Sequence, residues 1–244
     1  MEKLSQTCAS LDERLAQVQA DGWNCTPSDI AKIRSLVEAG LRGTLTEAEF
    51  YQLAGGPFGM TNSFLYRDVY AQVVSWAVLT AEYLNSVERL LRPYRVVEVC
   101  AGVGTLGRLM RARGLDWTTT DEGPVNDTVK KCDALAAVSI FKPEVVFASW
   151  IPYGSPLDGQ LAEMVAERHI PMVVIGEGNG GCTGSDALYA DDVPWEIHSL
   201  GWGDAVPWFK DVPQWSGIHD HTQLVMPPGS GLIWDGKGIF GPPV

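Results

Sequence analysis

The chain has 244 residues, enough for one sizeable hydrophobic core with a helical appendage and too few to require two independent domains. Apolar residues make up 45% and charged residues 20%, which is an ordinary globular composition and excludes a disordered or collagen-like chain. The 30 acidic and 18 basic residues give a net charge of −12, which would repel a phosphate backbone, so we predict no nucleic-acid partner.

Signals for export, membrane insertion or metal binding are weak. The longest apolar stretch, residues 71–84, contains polar side chains and is shorter than the ~20 residues that a membrane span needs. The N-terminal segment lacks the layout of a secretory signal. The five cysteines are scattered and never spaced CxxC, which favours reduced thiols. We therefore predict a cytoplasmic protein with no membrane partner and no metal.

The first ninety residues are predicted to form helices, because apolar residues recur there at helical spacing and capping signals precede the runs. The capping box Thr46–Glu49 is one such signal. The segment from about Phe64 to Leu91 is predicted as one helix that stops before Pro93. We expect residues 1–93 to form an N-terminal helical cap.

From residue 94 the apolar period changes, and short β-branched runs alternate with helices. This alternation predicts a parallel sheet with right-handed crossovers, so residues 94–244 are expected to form one α/β domain. The predicted strands are 96–100, 117–121, 143–150 and 171–177, with helices at 106–113 and 157–168 and closing strands near 195–200, 221–226 and 231–234. For the closing strands an antiparallel orientation is open.

A glycine-rich turn follows the first predicted strand, in the sequence Glu98-Val-Cys-Ala-Gly102-Val-Gly104. Glycines at this point let the backbone turn tightly and approach a ligand at the carboxyl edge of the sheet. The same residues also fit a tight turn that binds nothing. The next strand ends at Asp121, whose carboxylate can accept hydrogen bonds from both hydroxyls of a ribose. The two features together predict a nucleoside site.

These motifs resemble those of class I S-adenosylmethionine-dependent methyltransferases, over roughly residues 95–226. The resemblance implies a Rossmann-like sheet and S-adenosylmethionine as cofactor. The chain departs from the family pattern at Cys100, where a glycine is usual, and in the short spacing from Asp121 to Cys132. The roles that it implies are the methionine end for Glu98, Gly102 and Gly104, the ribose for Asp121, and the adenine for Asp133 and Ala134.

The strand that ends near residue 150 carries Ser149-Trp150-Ile-Pro-Tyr153, which looks like the Asp/Asn/Ser-Pro-Pro-aromatic motif of amino-group methyltransferases with one residue inserted. A polar group there can accept hydrogen bonds from an amine, and an aromatic face can stabilise a cation. Both aromatics also fit simple core packing. Glu177 follows the next strand, where it either lines the same edge as a general base or caps a helix. We predict Ser149, Trp150, Tyr153 and Glu177 as catalytic residues.

Three functions fit these residues. The first is methyl transfer to a small-molecule substrate, with an amine as the expected acceptor. The second is cyclisation of S-adenosylmethionine to azetidine-2-carboxylate with release of methylthioadenosine, as the similar azetidine-2-carboxylate synthases perform it. The third is a catalytically silent nucleoside-binding subunit that activates a partner. The sequence gives no prediction of the oligomeric state.

Overall fold

The computed structural model describes residues 10–55, 63–123, 126–201, 206–228, 233–234 and 239–240. Helices occupy most of the chain before the first strand, as predicted. These helices are α1 (Leu11–Ala20), α2 (Pro27–Arg42), α3 (Glu47–Ala54), α4 (Ser63–Val73) and α5 (Ala81–Leu91). The break predicted at residues 55–57 lies partly outside the described residues.

Side-chain caps set where the first three helices begin. Ser10, Thr26 and Thr46 each accept a hydrogen bond from the backbone three residues ahead, and the acidic residue there bonds back to the capping backbone. Such reciprocal bonds satisfy two backbone donors that a helix start leaves unpaired. The Thr46–Glu49 prediction is therefore confirmed.

The single helix predicted from about Phe64 to Leu91 is wrong, because α4 ends at Val73 and α5 begins at Ala81. Between them the Tyr70 hydroxyl accepts a hydrogen bond from the backbone N–H of Leu79, at 3.2 Å. Thr80 then caps α5 by accepting from the backbone of Tyr83. Helical spacing of apolar residues continues across the break, but these local hydrogen bonds end one helix and start another.

The second part of the chain forms a seven-stranded sheet. Its elements are β1 (Val96–Val99), α6 (Thr105–Ala112), β2 (Trp117–Asp121), β3 (Lys130–Lys131), α7 (Ala134–Phe141), β4 (Val145–Ser149), α8 (Leu157–Glu167), β5 (Met172–Gly176), a 3₁₀ turn (Ala187–Tyr189), β6 (Glu196–Ser199) and β7 (His221–Met226). The strand order is β3-β2-β1-β4-β5-β7-β6. β7 runs antiparallel to both β5 and β6, and the other pairs are parallel.

This order, with one antiparallel strand inserted near the edge, forms an open Rossmann-like sheet, so the predicted Rossmann-like α/β fold class is confirmed. Two details differ from the prediction. The short strand β3 and the helix α7 were not predicted. The closing strand expected at 231–234 lies outside the main sheet, because β8 (Ile233–Trp234) pairs only with β9 (Ile239–Phe240) among the described strands.

The hydrophobic core lies on both faces of the sheet, as the alternation along β4 shows. Val145 and Phe147 belong to one cluster of buried apolar residues, and Val146 and Ala148 belong to the other. The first cluster also contains apolar residues of α1 to α6 and of the segment 206–218, and the second contains those of α7 and α8. The N-terminal helices thus share a core with the sheet, and a separate domain before residue 94 stays a prediction.

Trp215 provides a test of this shared core. Its side chain is 2% exposed and packs edge-on against Phe50 of α3, with 4.8 Å between ring centroids. We expect Trp215→Ala to lower the free energy of unfolding in urea by about 3–5 kcal/mol, the scale for emptying a large buried aromatic site. The matched variant Trp23→Ala removes an indole that is 43% exposed and should cost about 0.5 kcal/mol or less. Equal losses in the two variants would contradict the shared core.

Candidate functional site

A cleft of about 250 Å³ lies at the carboxyl edge of the sheet. In open α/β sheets ligands bind at this edge, where the loops after neighbouring strands meet. The residues that line it come from the ends of β1, β2, β3 and β4 and from the break between α4 and α5. They are Trp76, Cys100, Gly102, Asp121, Glu122, Cys132, Asp133, Ala134, Trp150, Pro152, Ser155 and Leu157. The structure therefore brings five predicted site residues together: Gly102, Asp121, Asp133, Ala134 and Trp150.

The Asp121 carboxylate holds the turn after β1 in place. One oxygen accepts a hydrogen bond from the backbone N–H of Gly102 at 2.9 Å, and the other accepts from Gly123 at 2.8 Å. An ionised carboxylate has about four lone-pair positions, so it retains acceptor capacity toward the cleft. A Cβ added to Gly102 would meet no atom within 4 Å, so the space over the turn is open.

Two non-glycine residues at the cleft have a left-handed backbone. Cys100 follows β1 with φ 55°, and Trp150 follows β4 with φ 51°. This conformation costs a residue with a side chain about 1–2 kcal/mol, and such strained residues concentrate at functional sites. Cys100 has a left-handed conformation that a glycine adopts readily. This explains why glycine is usual at this position in the motif, and it means that the cysteine here is strained.

Asp133 and Ala134 line the cleft from the start of α7. The Asp133 side chain accepts a hydrogen bond from the backbone N–H of Ala136 at 2.9 Å and so caps the helix. Ala134 is the first residue of α7 and is buried. Instead of a full helix, a turn and the short strand β3 connect Asp121 to this cap. The short spacing seen in the sequence is thus compatible with both residues reaching the cleft.

Two stacked indoles form an aromatic wall of the cleft. The rings of Trp76 and Trp150 lie 5.3 Å apart between centroids at an interplanar angle of 25°. The guanidinium carbon of Arg67 lies 5.1 Å from the Trp76 centroid and 5.0 Å from the Trp150 centroid. This arrangement is a cation–π contact with both rings. Arg67 lies in α4 and Trp76 in the break after it, so the N-terminal part of the chain supplies part of this wall.

Glu98 and Gly104 are not among the residues that line the cleft. Glu98 is 2% exposed and lies beneath α6, where its carboxylate accepts a hydrogen bond from the Trp117 indole N–H at 2.9 Å. Burial raises the pKa of Glu98 to about 7, although hydrogen bonds and the charge of Arg111 oppose the rise. Gly104 precedes α6 with φ 73°, and a Cβ there would approach Val129 to 2.4 Å.

The remaining predicted catalytic residues are also not among the residues that line the cleft. Ser149 is the last residue of β4 and is 9% exposed, whereas Tyr153 is 79% exposed. Glu177 is buried and bridges two loops, since its carboxylate accepts from the backbone N–H of Cys182 at 3.2 Å and of His219 at 2.6 Å. It lines a second cleft of about 600 Å³ with residues 178–181 and both histidines of the His219–His221 segment.

A buried acid beside Trp150 was not predicted as a site residue. Asp220 is 1% exposed, and neither carboxylate oxygen has a hydrogen-bond partner. Burial and then the charge of Glu177 raise the pKa of Asp220 to about 8, while Arg67 and the Trp150 indole lower it in part. The sequence signal was its place directly before β7: because that strand is antiparallel, its first residues lie at the same edge as the ends of β4 and β5.

The thiols of Cys100 and Cys182 have raised pKa values. Burial, and then the charge of Asp121, raises the pKa of Cys100 to about 12. A hydrogen bond to Glu177 and its charge raise the pKa of Cys182. A nucleophilic cysteine needs a lowered pKa, so neither thiol fits that role.

Within the described part of the chain, no group of three or more potential ligands could hold a metal ion, and no helix is suited to cross a membrane.

Comparisons with known proteins give only distant likenesses. No protein-family model and no curated protein matches the chain. The solved structure of human N-acetylserotonin methyltransferase in complex with S-adenosylmethionine is 10% identical, with 93% of this chain and 75% of that chain covered and a TM-score of 0.38. Mitomycin 7-O-methyltransferase is 12% identical, with 90% and 73% covered and a TM-score of 0.37. Coclaurine N-methyltransferase bound to N-methylheliamine and S-adenosylhomocysteine is 14% identical, with 78% and 72% covered and a TM-score of 0.28. TM-scores this low do not establish a common fold, so the fold assignment depends on the strand order.

The buried carboxyl of Glu98 should make stability depend on pH. In the folded protein its pKa is about 7, against an ordinary value of 4.5, so only the folded state keeps the proton across this interval. Native stability therefore falls as the pH rises from about 4.5 to 7, because the unfolded state releases the proton more readily. Glu98→Gln has no proton to lose at this position.

We expect the unfolding free energy of Glu98→Gln, relative to the natural protein, to increase by about 2–3 kcal/mol between pH 5 and pH 8. Urea denaturation at a series of pH values measures this difference. The other titrating groups are common to both proteins and cancel. Parallel pH curves for the two proteins would show that Glu98 does not titrate in this interval.

Proposed function

We propose that the cleft binds S-adenosylmethionine and that the protein transfers its methyl group to a small molecule with an amine acceptor. The observation that carries the proposal is the Asp121 carboxylate, which ties down the glycine turn through Gly102 and lines the same cleft. Its position at the end of β2, beside the turn after β1, is where such sheets bind the ribose of a nucleoside.

The residues of the cleft fit this ligand. Asp121 has acceptor capacity for ribose hydroxyls, and the apolar Ala134 and Leu157 provide a surface for a purine. The indoles of Trp76 and Trp150 offer aromatic faces to a sulfonium, which cation–π attraction favours by about 0.5–2 kcal/mol. Glu98 and Gly104 would then act from outside the cleft, by supporting β1 and the start of α6.

S-adenosylmethionine, when bound, supplies a methyl group with a good leaving group, so the protein has mainly to hold a nucleophile in line. Positioning of two reactants can supply much of a rate enhancement. A neutral amine needs no strong base before it attacks, which agrees with thiols and carboxyls whose raised pKa values leave them protonated. The aromatic wall and the raised pKa values of the Cys100 and Cys182 thiols support methyl transfer to nitrogen over covalent catalysis.

Incubating the pure protein with S-adenosylmethionine tests the reaction. We expect no turnover with the cofactor alone, and S-adenosylhomocysteine once a panel of small amines is added, as measured by mass spectrometry. Methylthioadenosine with azetidine-2-carboxylate from the cofactor alone would instead establish cyclisation. Binding without turnover in either case would indicate a silent nucleoside-binding subunit. Absence of binding would remove all three functions.

Asp121→Ala tests the ribose assignment. We expect it to weaken binding of S-adenosylmethionine by ~1–3 kcal/mol, the scale for losing hydrogen bonds to a charged group. Isothermal titration calorimetry measures the change. The matched control is Asp116→Ala, which removes an exposed carboxylate just before the opposite end of the same strand and should leave the dissociation constant unchanged. Equal dissociation constants for Asp121→Ala and the natural protein would remove the assignment.

A further inference from the structure

A groove of about 680 Å³ runs along α8, apart from the two clefts described above. It shares no described lining residue with either of them. Trp195, directly before β6, and Pro228, after β7, line it together with one face of α8. The start of β6 pairs with the end of β7, which pairs in turn with the start of β5. These two residues therefore lie at the edge of the sheet opposite the cleft.

The floor of the groove is apolar. Its described lining residues, apart from three acids, are glycine, alanine, valine, proline and tryptophan. The Trp195 side chain is 7% exposed, and its indole N–H donates a hydrogen bond to the Leu188 carbonyl at 3.0 Å. The ring therefore has no free donor and offers a ligand only its carbon surface. The volume lies within the range of about 300–1,000 Å³ that is typical of small-molecule sites.

Three carboxylates surround this floor. Glu163 and Glu167 lie one turn apart on the same face of α8, and Asp192 comes from the segment between the 3₁₀ turn and β6. Within the described residues, none of the three carboxylates takes part in an ion pair or a hydrogen bond. The described lining residues include no lysine, arginine or histidine. The groove thus has uncompensated negative charge.

The charge pattern indicates what the groove binds. Like charges four residues apart on a helix repel each other, so the pair on α8 has a cost that a bound cation removes. Because the acids surround an apolar floor, the complementary ligand carries a positive charge on an apolar body. Burial of that body on the floor stabilises the complex, and the Trp195 ring can also attract the cation through its π face.

We propose that this groove binds a hydrophobic organic cation, an alkyl- or arylammonium, with its charge near Glu163, Glu167 and Asp192 and its apolar body on Trp195. The site is separate from the cleft assigned to S-adenosylmethionine, so the proposal does not depend on the proposed function. An ammonium bound here lies at the opposite edge of the sheet from that cleft.

Three probes with one apolar body test the charge preference. They are 4-phenylbutylammonium, the neutral 4-phenylbutan-1-ol and the anionic 4-phenylbutanoate, each titrated by calorimetry into the full chain without nucleoside. We expect the ammonium to bind at least about fivefold more tightly than the alcohol, and the anion to bind most weakly, since each exposed ion pair contributes up to about a factor of five. Added salt should weaken binding of the ammonium and leave that of the alcohol, because salt screens exposed charges.

Variants locate the binding. Glu163→Gln with Glu167→Gln removes both helix charges at nearly constant shape, and should weaken binding of the ammonium about three- to twentyfold while the alcohol binds as before. Asp192→Asn should weaken it several-fold. The matched control is Asp191→Asn, which makes the same change at the exposed neighbour that does not line the groove, and should bind as the natural protein does.

Ala190→Trp fills the groove from an exposed position and should remove binding of both the ammonium and the alcohol. Circular dichroism checks that each variant folds, and where the double variant does not, Asp192→Asn against Asp191→Asn decides.

Three results would overturn the proposal. One is that the natural protein binds no ammonium, or binds the alcohol equally well. Another is that Ala190→Trp binds the ammonium as before, which would assign the binding to another part of the chain. The third is a dimeric molar mass by light scattering that becomes monomeric in Ala190→Trp, since a second copy of the chain would then cover the groove.

Discussion

The site depends on one constraint, which is that strands β2, β1 and β4 lie side by side and point the same way. Parallel neighbours end at one edge, so residues separated by many positions in sequence meet there. The hydrogen bond from the Gly102 backbone to the Asp121 carboxylate fixes the first two strand ends relative to each other. The indole of Trp150, after β4, completes the third side. Without this parallel order none of these groups would share a cleft.

The helical cap depends on the same edge. Its apolar residues join the core on one face of the sheet, which places the break between α4 and α5 next to the strand ends. Trp76, in this break, stacks on Trp150, and Arg67 of α4 lies over both rings. The break therefore lines the cleft as well as forming a helix boundary. A continuous helix over this segment would place Trp76 on a regular helical surface instead.

The sequence was sufficient for the strands of the main sheet other than β3, because most of them are short β-branched runs bounded by glycine, proline or acid, and these signals are local. It was also sufficient to place Asp121 at the edge of the sheet, since this residue ends such a run. The helix α7 was missed for a physical reason: its residues, Ala134–Phe141, are almost all apolar, so no polar face marks a helical period. The α4–α5 break was missed because tertiary hydrogen bonds, such as that of the Tyr70 hydroxyl, leave no periodic trace.

The site residues divide in the same way. Gly102, Asp121, Asp133, Ala134 and Trp150 were predicted and are brought together, because each lies at a strand or helix end that the local pattern marks. Glu98 was placed correctly at the end of β1, but the side of the strand on which its carboxylate lies depends on the pleat and on Trp117, its partner. Its roles toward a ligand, like those of Ser149, Tyr153 and Glu177, stay predictions.

The orientation of β7 explains why the sequence did not predict Asp220 at this edge. In a wholly parallel sheet a residue before a strand lies at the amino edge, away from the edge where ligands bind. Asp220 would then lie at the opposite edge from the cleft. The antiparallel pairing of β7 with β5 reverses this, and brings Asp220 to the edge where Glu177 follows β5. Two acids then lie near each other in a buried region, and of the two only Glu177 accepts hydrogen bonds from backbone N–H groups. The unbalanced member is Asp220, and a buried carboxylate without donors is unstable unless it is protonated or paired.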